Sequence, residues 1–181
     1  MRVFFAILLP ESIKNALCDA IALLRQVSLK GHFTRRDNLH LTLAFVGEVA
    51  TERTDALSEA MESITVNSFS LRFGHFGCFH KNGRDIWWVG VEHNKSLQTA
   101  YHELAVSLKR KGFPFEDLPY VPHLTLGREI ITAPGFDREA IAMTIPPMDM
   151  RADRLSLMQS CQVNGSLAYM ELRHHMLTET A

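Results

Sequence analysis

The 181-residue sequence has few cysteines, no excess of charge of either sign and no long hydrophobic run. Its three cysteines, Cys18, Cys78 and Cys161, are an odd number without metal-type spacing, which favours a reducing compartment over secretion. The 19 basic and 20 acidic residues give a formal net charge of -1, so long-range attraction is not expected to dominate any binding of nucleic acid. We therefore expect a cytoplasmic protein.

The sequence also lacks a membrane span and a linker. The apolar opening MRVFFAILLPESIK ends at Pro10, Glu11 and Lys14, too early to cross a bilayer. Hydrophobic residues make up 46% and charged residues 22% of the chain, as in ordinary globular proteins. We predict a single domain of two lobes over residues 1–181, no membrane partner and a monomer as the default state.

Hydrophobic periodicity predicts a mixture of hairpins and helices. The predicted strands cover residues 2–9, a segment from 40 to 47, 69–80, 85–92, a segment from 123, 151–161 and 167–174. The predicted helices follow Pro10 with Ser12 as the cap, begin at Thr51, and run from Asn94 to Lys111. Residues 28–38 are predicted as a loop and 130–148 as irregular, and turns are predicted at Asn82-Gly83 and Asn164-Gly165. Hairpins mixed with helices favour an α+β fold.

The tetrapeptide HLTL occurs twice, at residues 40–43 and 123–126. Because side chains alternate along a strand, His40 and Thr42 share one face, as do His123 and Thr125, and the leucines lie on the opposite face. Each copy follows a helix and a polar or proline-bearing loop. The repeat indicates pseudo-twofold duplication, with the two strands meeting across a central cleft.

Two His-x-Thr strands facing each other have the chemistry for displacement at phosphorus. A His and a Thr two residues apart are separated by about 6.6 Å along a strand, which suits a joint grip on one phosphate group. One imidazole can deprotonate the entering oxygen while the other protonates the leaving oxygen. Each such proton transfer is typically worth about 10² to 10⁴ in rate, so no metal or other cofactor is required.

Three stretches, FFAILLP, DNLHLTLAFVGEV and PYVPHLTLGRE, resemble the 2H phosphoesterase superfamily. The similarity is to its RNA 2',3'-cyclic phosphodiesterase branch, first described as 2'-5' RNA ligases. This resemblance implies a bilobal α+β fold in which two antiparallel sheets line a central cleft and helices lie outside. It also implies hydrolysis of an RNA 2',3'-cyclic phosphate end to a 2'-phosphate.

The same resemblance implies roles for individual residues. His40 would be the proton donor and His123 the proton acceptor, and the two roles can exchange with substrate polarity in a near-symmetric site. Thr42 and Thr125 would hold phosphate oxygens. Arg128 matches an arginine often found after the second motif, where Gly127 replaces a bulkier residue, and it is well suited to phosphate.

Aromatic residues near the proposed cleft are candidates to receive a base. Phe5 and Tyr120 are the two that we carry forward, whereas for Phe45 core packing is favoured. The sequence does not distinguish among a tRNA half, another oligonucleotide and a small cyclic nucleotide as the substrate. It also does not show whether 2'-5' joining is important.

Two alternatives remain beside the hydrolase. In the first, the cleft binds nucleotides or RNA ends without turnover. In the second, His40 and His123 are metal ligands, which is disfavoured because no Asp, Glu or Cys lies at ligand spacing in either motif.

Overall fold

The computed structural model describes residues 1–80, 82, 84–115 and 119–179. Within them there are four α-helices and nine strands, and the strands form two sheets. The strands are β1 Arg2–Leu8, β2 Ser28–Phe33, β3 His40–Glu48, β4 Phe69–Phe79, β5 Asp85–Val91, β6 His123–Thr132, β7 Met148–Ala152, β8 Arg154–Val163 and β9 Ser166–Met176. The helices are α1 Glu11–Gln26, α2 Thr54–Glu62, α3 Lys95–Arg110 and α4 Arg138–Thr144, with 3-10 turns at Arg36–Asn38 and Thr51–Arg53.

The strands form one sheet of order β3-β1-β8-β9 and another of order β2-β6-β5-β4-β7. Neighbouring strands in both sheets pair antiparallel. Helices α2 and α3 contact the first sheet, and helices α1 and α4 contact the second. The predicted α+β architecture with two antiparallel sheets is therefore confirmed.

The two motif strands occupy matching places in the chain path. Strand β3 pairs with β1, the strand that precedes helix α1, and strand β6 pairs with β5, the strand that precedes helix α3. Each helix then packs on the other sheet, because α1 contacts β6 and α3 contacts β3. Strands β3 and β6 also contact each other, which brings the two HLTL copies together.

A single large core of buried side chains runs through both sheets. Helix α1 contributes a stripe at helical spacing, formed by Ile13, Leu17, Ala20, Ile21 and Leu24. Strand β1 is buried on both faces from Val3 to Ile7, because one face packs in this core and the other in a second, smaller cluster around Phe4. The single domain over residues 1–181 stays a prediction, which this shared core supports.

Two segments differ from the sequence-based prediction. Residues 28–38 were expected to be a loop, but Ser28–Phe33 forms β2, an edge strand against β6. The segment SLKGHF is mostly polar because an edge strand is only half covered, so its strand pattern is weak. Residues 130–148, expected to be irregular, contain α4, whose first turn is capped by the Asp137 carboxylate accepting from the Glu139 and Ala140 amides.

Helix ends were predicted with mixed success. Asn94 caps α3 by accepting a hydrogen bond from the Leu97 amide, as expected. Ser12 and Thr51 are not caps, since α1 begins directly after Pro10 and α2 begins after a 3-10 turn. The turn at Asn164-Gly165 is confirmed, with both residues at positive φ (51° and 76°). The Asn82-Gly83 prediction falls partly outside the described residues, because Gly83 is not among them.

None of the helices in the described part of the chain is long and apolar enough to cross a membrane.

Candidate active site

Both HLTL copies have the alternation that the sequence predicted. All four leucines are buried, at 1% exposure or less, whereas both histidines and both threonines are partly exposed. The leucines anchor the strands in the core, because burying a leucine side chain is worth about 1.5 to 3 kcal/mol. The opposite face is thus free to present His40 with Thr42, and His123 with Thr125.

The two imidazoles are held in the same way. Nδ1 of His40 lies 2.7 Å from the backbone carbonyl oxygen of Asn38, and Nδ1 of His123 lies 2.7 Å from that of Val121. A carbonyl oxygen only accepts hydrogen bonds, so Nδ1 carries the hydrogen in both rings. The neutral imidazoles therefore keep the lone pair on Nε2, which is the atom available for proton transfer.

Thr42 lies beside the reactive nitrogen of His40. Its Oγ1 is 2.9 Å from His40 Nε2, and with a hydrogen on Nδ1 the hydroxyl donates to that nitrogen. When His40 is protonated, Nε2 donates to the hydroxyl instead, which can then donate onward to a phosphate oxygen. Thr125 holds the equivalent position in β6, two residues after His123 and across from Trp88.

Aromatic rings enclose both histidines. The His40 ring lies 4.9 Å from the Phe4 ring and 5.1 Å from the edge-on Tyr169 ring. The His123 ring lies 5.1 Å from the edge-on ring of Phe79 and 6.1 Å from that of Trp88. These neighbours restrict ring rotation and remove water from one side of each imidazole.

This environment shifts the acid-base equilibrium of both rings. Burial lowers the pKa of His40, a shift opposed by the Asn38 carbonyl and reinforced by the positive charges of Arg128 and His123. Burial likewise lowers the pKa of His123, opposed by the Val121 carbonyl and reinforced by Arg128. Because His123 disfavours the charged form of His40, the site favours one protonated and one neutral imidazole over two protonated ones.

A β-bulge in each motif strand determines on which face of the strand the last residue of the HLTLAF or HLTLGR repeat lies. Between β1 and β3 the pairing skips Leu43, and between β5 and β6 it skips Leu126. The residue after each skipped leucine is buried as well. Simple alternation is broken at this point, so Phe45 and Arg128 are exposed instead of following the leucines into the core.

The prediction that Phe45 packs in the core is therefore wrong. Its side chain is 48% exposed and its ring stacks on that of Phe4, with 5.4 Å between centroids. Sequence reasoning missed Phe45 because a bulge leaves no mark in a pattern of alternating residue types. The available signal was the alignment of HLTLAF with HLTLGR, which places Phe45 at the position equivalent to Arg128.

Gly127 lies where another strand approaches β6 closely. A Cβ on Gly127 would lie 2.8 Å from Ile130 Cδ1 and 3.2 Å from the His32 carbonyl oxygen, closer than a side chain tolerates without movement. The glycine therefore permits β2 to approach β6 beside Arg128. Two residues further along, Glu129 adopts a positive φ of 53°, which completes the irregular section of the strand.

An open cleft of about 770 Å³ lies along these residues. Its walls include Thr42, Phe45, Phe79, Tyr120, His123 and Arg128. Its volume falls within the range of about 300 to 1,000 Å³ that is usual for small-ligand sites, which is enough for a nucleotide. Residues of both motif strands thus face one space.

Tyr120 is a wall of this cleft and connects the two sheets. Its hydroxyl donates to the Thr42 carbonyl oxygen at 3.0 Å, and its ring stacks on Tyr101 with 4.3 Å between centroids and 7° between planes. Burial raises the pKa of Tyr120, with a contribution from Tyr101, so the hydroxyl stays protonated as a donor. Base contact by Tyr120 stays a prediction.

Phe5 was the other predicted base contact, and that prediction is wrong. Its side chain is fully buried at 0% exposure and belongs to the large core. Its neighbour Phe4 contacts the His40 and Phe45 rings, and because side chains alternate along a strand, Phe5 lies on the opposite face of β1, away from His40. The continuous apolar run FFAIL gave no means of telling which phenylalanine faces His40.

A bilobal α+β fold with a His-x-Thr strand from each sheet at one cleft defines the class of two-histidine (2H) phosphoesterases. The chain matches the model of the 2'-5' RNA ligase superfamily over residues 10–163. It belongs to this family.

Individual relatives agree with that assignment. The RNA 2',3'-cyclic phosphodiesterase of Thermotoga maritima is 31% identical over 88% of this chain and 87% of its own length, and that of Escherichia coli is 30% identical over 98% and 97%. The crystal structure of E. coli LigT complexed with 3'-AMP superposes with a TM-score of 0.82, at 28% identity and 98% coverage of both chains. TT0787 of Thermus thermophilus gives a TM-score of 0.79 at 25% identity and full coverage of both chains.

Proposed function

We propose that this protein hydrolyses RNA 2',3'-cyclic phosphate ends to 2'-phosphates by metal-independent acid-base catalysis with His40 and His123. The observation that carries the proposal is the matched support of the two rings. Each Nδ1 lies 2.7 Å from the carbonyl oxygen two residues earlier in the chain. Such support fixes the tautomer and directs Nε2 toward proton transfer.

In the reaction, His123 Nε2 takes a proton from a water molecule as the water oxygen bonds to phosphorus. The bond between phosphorus and the 3' oxygen breaks, and the proton on His40 Nε2 passes to that oxygen. A 3' hydroxyl and a 2'-phosphate result, with His123 protonated and His40 neutral. Exchange of protons with solvent restores the starting state, so atoms and charge balance without a metal or an oxidant.

Thr42, Thr125 and Arg128 are the proposed contacts to the phosphate oxygens. Hydroxyl donors aimed at oxygens that gain charge stabilise the transition state more than the ground state. Arg128 lines the cleft together with Thr42 and His123, and its positive charge lowers the pKa of both His40 and His123. A guanidinium also matches the geometry of a phosphate with two parallel hydrogen bonds.

The nucleotide next to the phosphate is proposed to lie in the cleft between Phe45 and Tyr120. Structures of the relative E. coli LigT hold 3'-AMP, NADP+ and ATP, which supports a nucleotide as the ligand class here. The ring of Phe45 is the better stacking surface, because its side chain is 48% exposed whereas Tyr120 is only partly exposed. We propose that RNA or an oligonucleotide, for example a tRNA half, is the substrate, and that a small cyclic nucleotide is a minimal one.

The product of a defined oligonucleotide with a 2',3'-cyclic phosphate end tests this proposal. After incubation in excess chelator, chromatography against synthetic standards distinguishes the 2'-phosphate from the 3'-phosphate. We expect the 2'-phosphate. Formation of the 3'-phosphate would contradict the role of the 3' oxygen as leaving group, and tight binding without conversion would establish a binding module instead of an enzyme.

We also propose a cytoplasmic location and a monomeric state. The location is inferred from the odd number of cysteines, none of which forms a disulfide, since paired cysteines are usual in oxidising compartments. The monomer is proposed as the default state. Size-exclusion chromatography with light scattering tests the monomer.

A further inference from the structure

A second cluster of reactive side chains lies at the end of the β4–β5 hairpin. Cys78 Sγ is 3.7 Å from His80 Nδ1, and the same nitrogen is 3.1 Å from Asp85 Oδ2. The three ligand atoms all lie within 4.8 Å of one another. Neither motif contributes to this cluster, and the proposed hydrolysis does not use it.

From these atoms we propose a Zn²⁺ site of three protein ligands, the thiolate of Cys78, Nδ1 of His80 and a carboxylate oxygen of Asp85, with water as the fourth ligand. Thiolate, imidazole and carboxylate are the three donor types that Zn²⁺ binds in proteins. The mixture suits Zn²⁺ better than Mg²⁺ or Ca²⁺, which prefer oxygen ligands alone.

The spacing of the atoms fits a tetrahedral ion. Usual Zn–S, Zn–N and Zn–O lengths place sulfur and nitrogen ligands about 3.6 Å apart, and nitrogen and oxygen ligands about 3.4 Å apart. The corresponding distances here are 3.7 Å and 3.1 Å. Both are within a few tenths of an ångström of the ideal, so small side-chain movements suffice for coordination.

The hairpin itself creates the cluster. His80 directly follows the last residue of β4, and residues two apart in extended backbone point to the same side, which places Cys78 and His80 together. The antiparallel register pairs Cys78 with Trp87 and Phe79 with Ile86, and its continuation brings Asp85 beside His80. Sequence analysis overlooked these residues because the spacing C-x-H-x4-D has no standard metal signature.

Exposure and charge define what the site can hold. The His80 side chain is 74% exposed and that of Asp85 is 23% exposed, so an incoming ion and its water reach the cluster from solvent. Asp85 supplies negative charge, whereas Arg138 lies close enough to act electrostatically on Cys78. Burial and the neighbouring Asp85 raise the pKa of Cys78 to about 11, and the positive charge of Arg138 only partly opposes that shift. Deprotonation of this thiol and the nearby guanidinium charge both limit the affinity for a cation.

Zinc at this position would cross-link the two strands of the hairpin, which forms one wall of the cleft. Phe79, between Cys78 and His80 in the chain, points the other way and contacts the His123 ring. Bound zinc would thus stabilise the hairpin without touching the reacting atoms. Hydrolysis does not depend on this ion and should continue in excess chelator. The zinc site and the proposed hydrolase activity can therefore be disproved independently of each other.

Calorimetric titration of the chelator-treated, dialysed full chain with Zn²⁺ tests the proposal, with Cys78→Ser, His80→Gln and Asp85→Asn as variants. We expect one ion per chain, and a loss of affinity of at least about ten-fold in each variant. Co²⁺ should give a thiolate charge-transfer absorption that Cys78→Ser lacks. Zn²⁺ should also raise the melting temperature of the unmodified chain, because it binds the folded state.

His32→Gln is the matched control. His32 Nε2 lies 3.7 Å from Glu129 on the same sheet and its side chain is 76% exposed, so it is a histidine–carboxylate pair without a thiol. This variant should bind Zn²⁺ as the unmodified chain does. Absence of stoichiometric binding, equal affinity in Cys78→Ser, or an equal loss in His32→Gln would each overturn the proposal.

Discussion

The hydroxyl of Tyr120 donates a hydrogen bond of 3.0 Å to the backbone carbonyl oxygen of Thr42. Tyr120 lies three residues before the second motif histidine, and Thr42 belongs to the first motif. This bond therefore ties the entrance of β6 to the centre of β3 and fixes the spacing of the two catalytic candidates. The ring of Tyr120 is held in turn by its stack on the Tyr101 ring.

Tyr120→Phe should lower kcat more than it raises KM, because the variant loosens the alignment of the two motifs and keeps the ring stack. The lost hydrogen bond should also cost about 0.5 to 1.5 kcal/mol of unfolding free energy. Steady-state kinetics and urea unfolding measure the two effects. Tyr120→Leu, which removes the stack too, should be the more damaging change, and an unaltered kcat in both variants would refute the positioning role.

Phe45→Ala should raise KM about ten-fold or more with little change in kcat, because base–aromatic stacking is worth about 1 to 3 kcal/mol. Phe45→Tyr should restore most of the affinity. The control substrate is a ribose cyclic phosphate without a base, on which Phe45→Ala and the unmodified protein should perform alike. An equal defect on both substrates would mean that Phe45 acts on the fold and not on the base.

Arg128→Gln should raise KM and move the pH profile of kcat/KM to higher pH. Arg128 lowers the pKa of both His40 and His123, so its removal raises both values. The acidic limb reflects protonation of His123, and the alkaline limb reflects loss of the proton from His40. Both limbs therefore shift to higher pH. Arg84→Gln is the control, because Arg84 is 74% exposed and pairs with Glu129 at 3.6 Å. A profile that does not move in Arg128→Gln would disprove the electrostatic coupling.

Thr42→Val should reduce kcat/KM about ten-fold to a hundred-fold, which corresponds to a lost hydrogen bond to a charged group of about 1.5 to 3 kcal/mol. Valine keeps the shape of threonine but lacks the hydroxyl that contacts His40 Nε2. Thr132→Val, at the far end of β6, should leave kcat/KM unchanged. Activity within two-fold of the unmodified protein in Thr42→Val would remove Thr42 from the phosphate site.

Much of the fold could be predicted because periodicity reports which face of an element is covered. Helix α3 and the last hairpin followed from such patterns and from their caps and turns. Strand β2 could not be predicted, since an edge strand has little hydrophobic signal. The short helix α4 was hidden among prolines, and its cap at Asp137 is recognisable only once the helix is known.

The candidate site was predictable in its repeated part and not in its irregular part. Identical HLTL copies placed His40 and His123 with their threonines on matching faces. The positions of Phe45 and Arg128 depend on bulges, which are set by strand pairing and leave no trace in residue types. The buried position of Phe5 depends on the core side chains that pack on its face of the sheet, which a single strand's sequence does not reveal.

The rates of His40→Ala and His123→Ala on an oligonucleotide 2',3'-cyclic phosphate, in excess chelator, test the central claim most directly. Each variant should lose about 10² to 10⁴ in kcat, and the double variant should be little worse than either, because the two groups act as one unit. Circular dichroism confirms that the variants fold. Near-native turnover by either folded single variant, or loss of the unmodified protein's activity on chelation, would contradict paired-histidine catalysis.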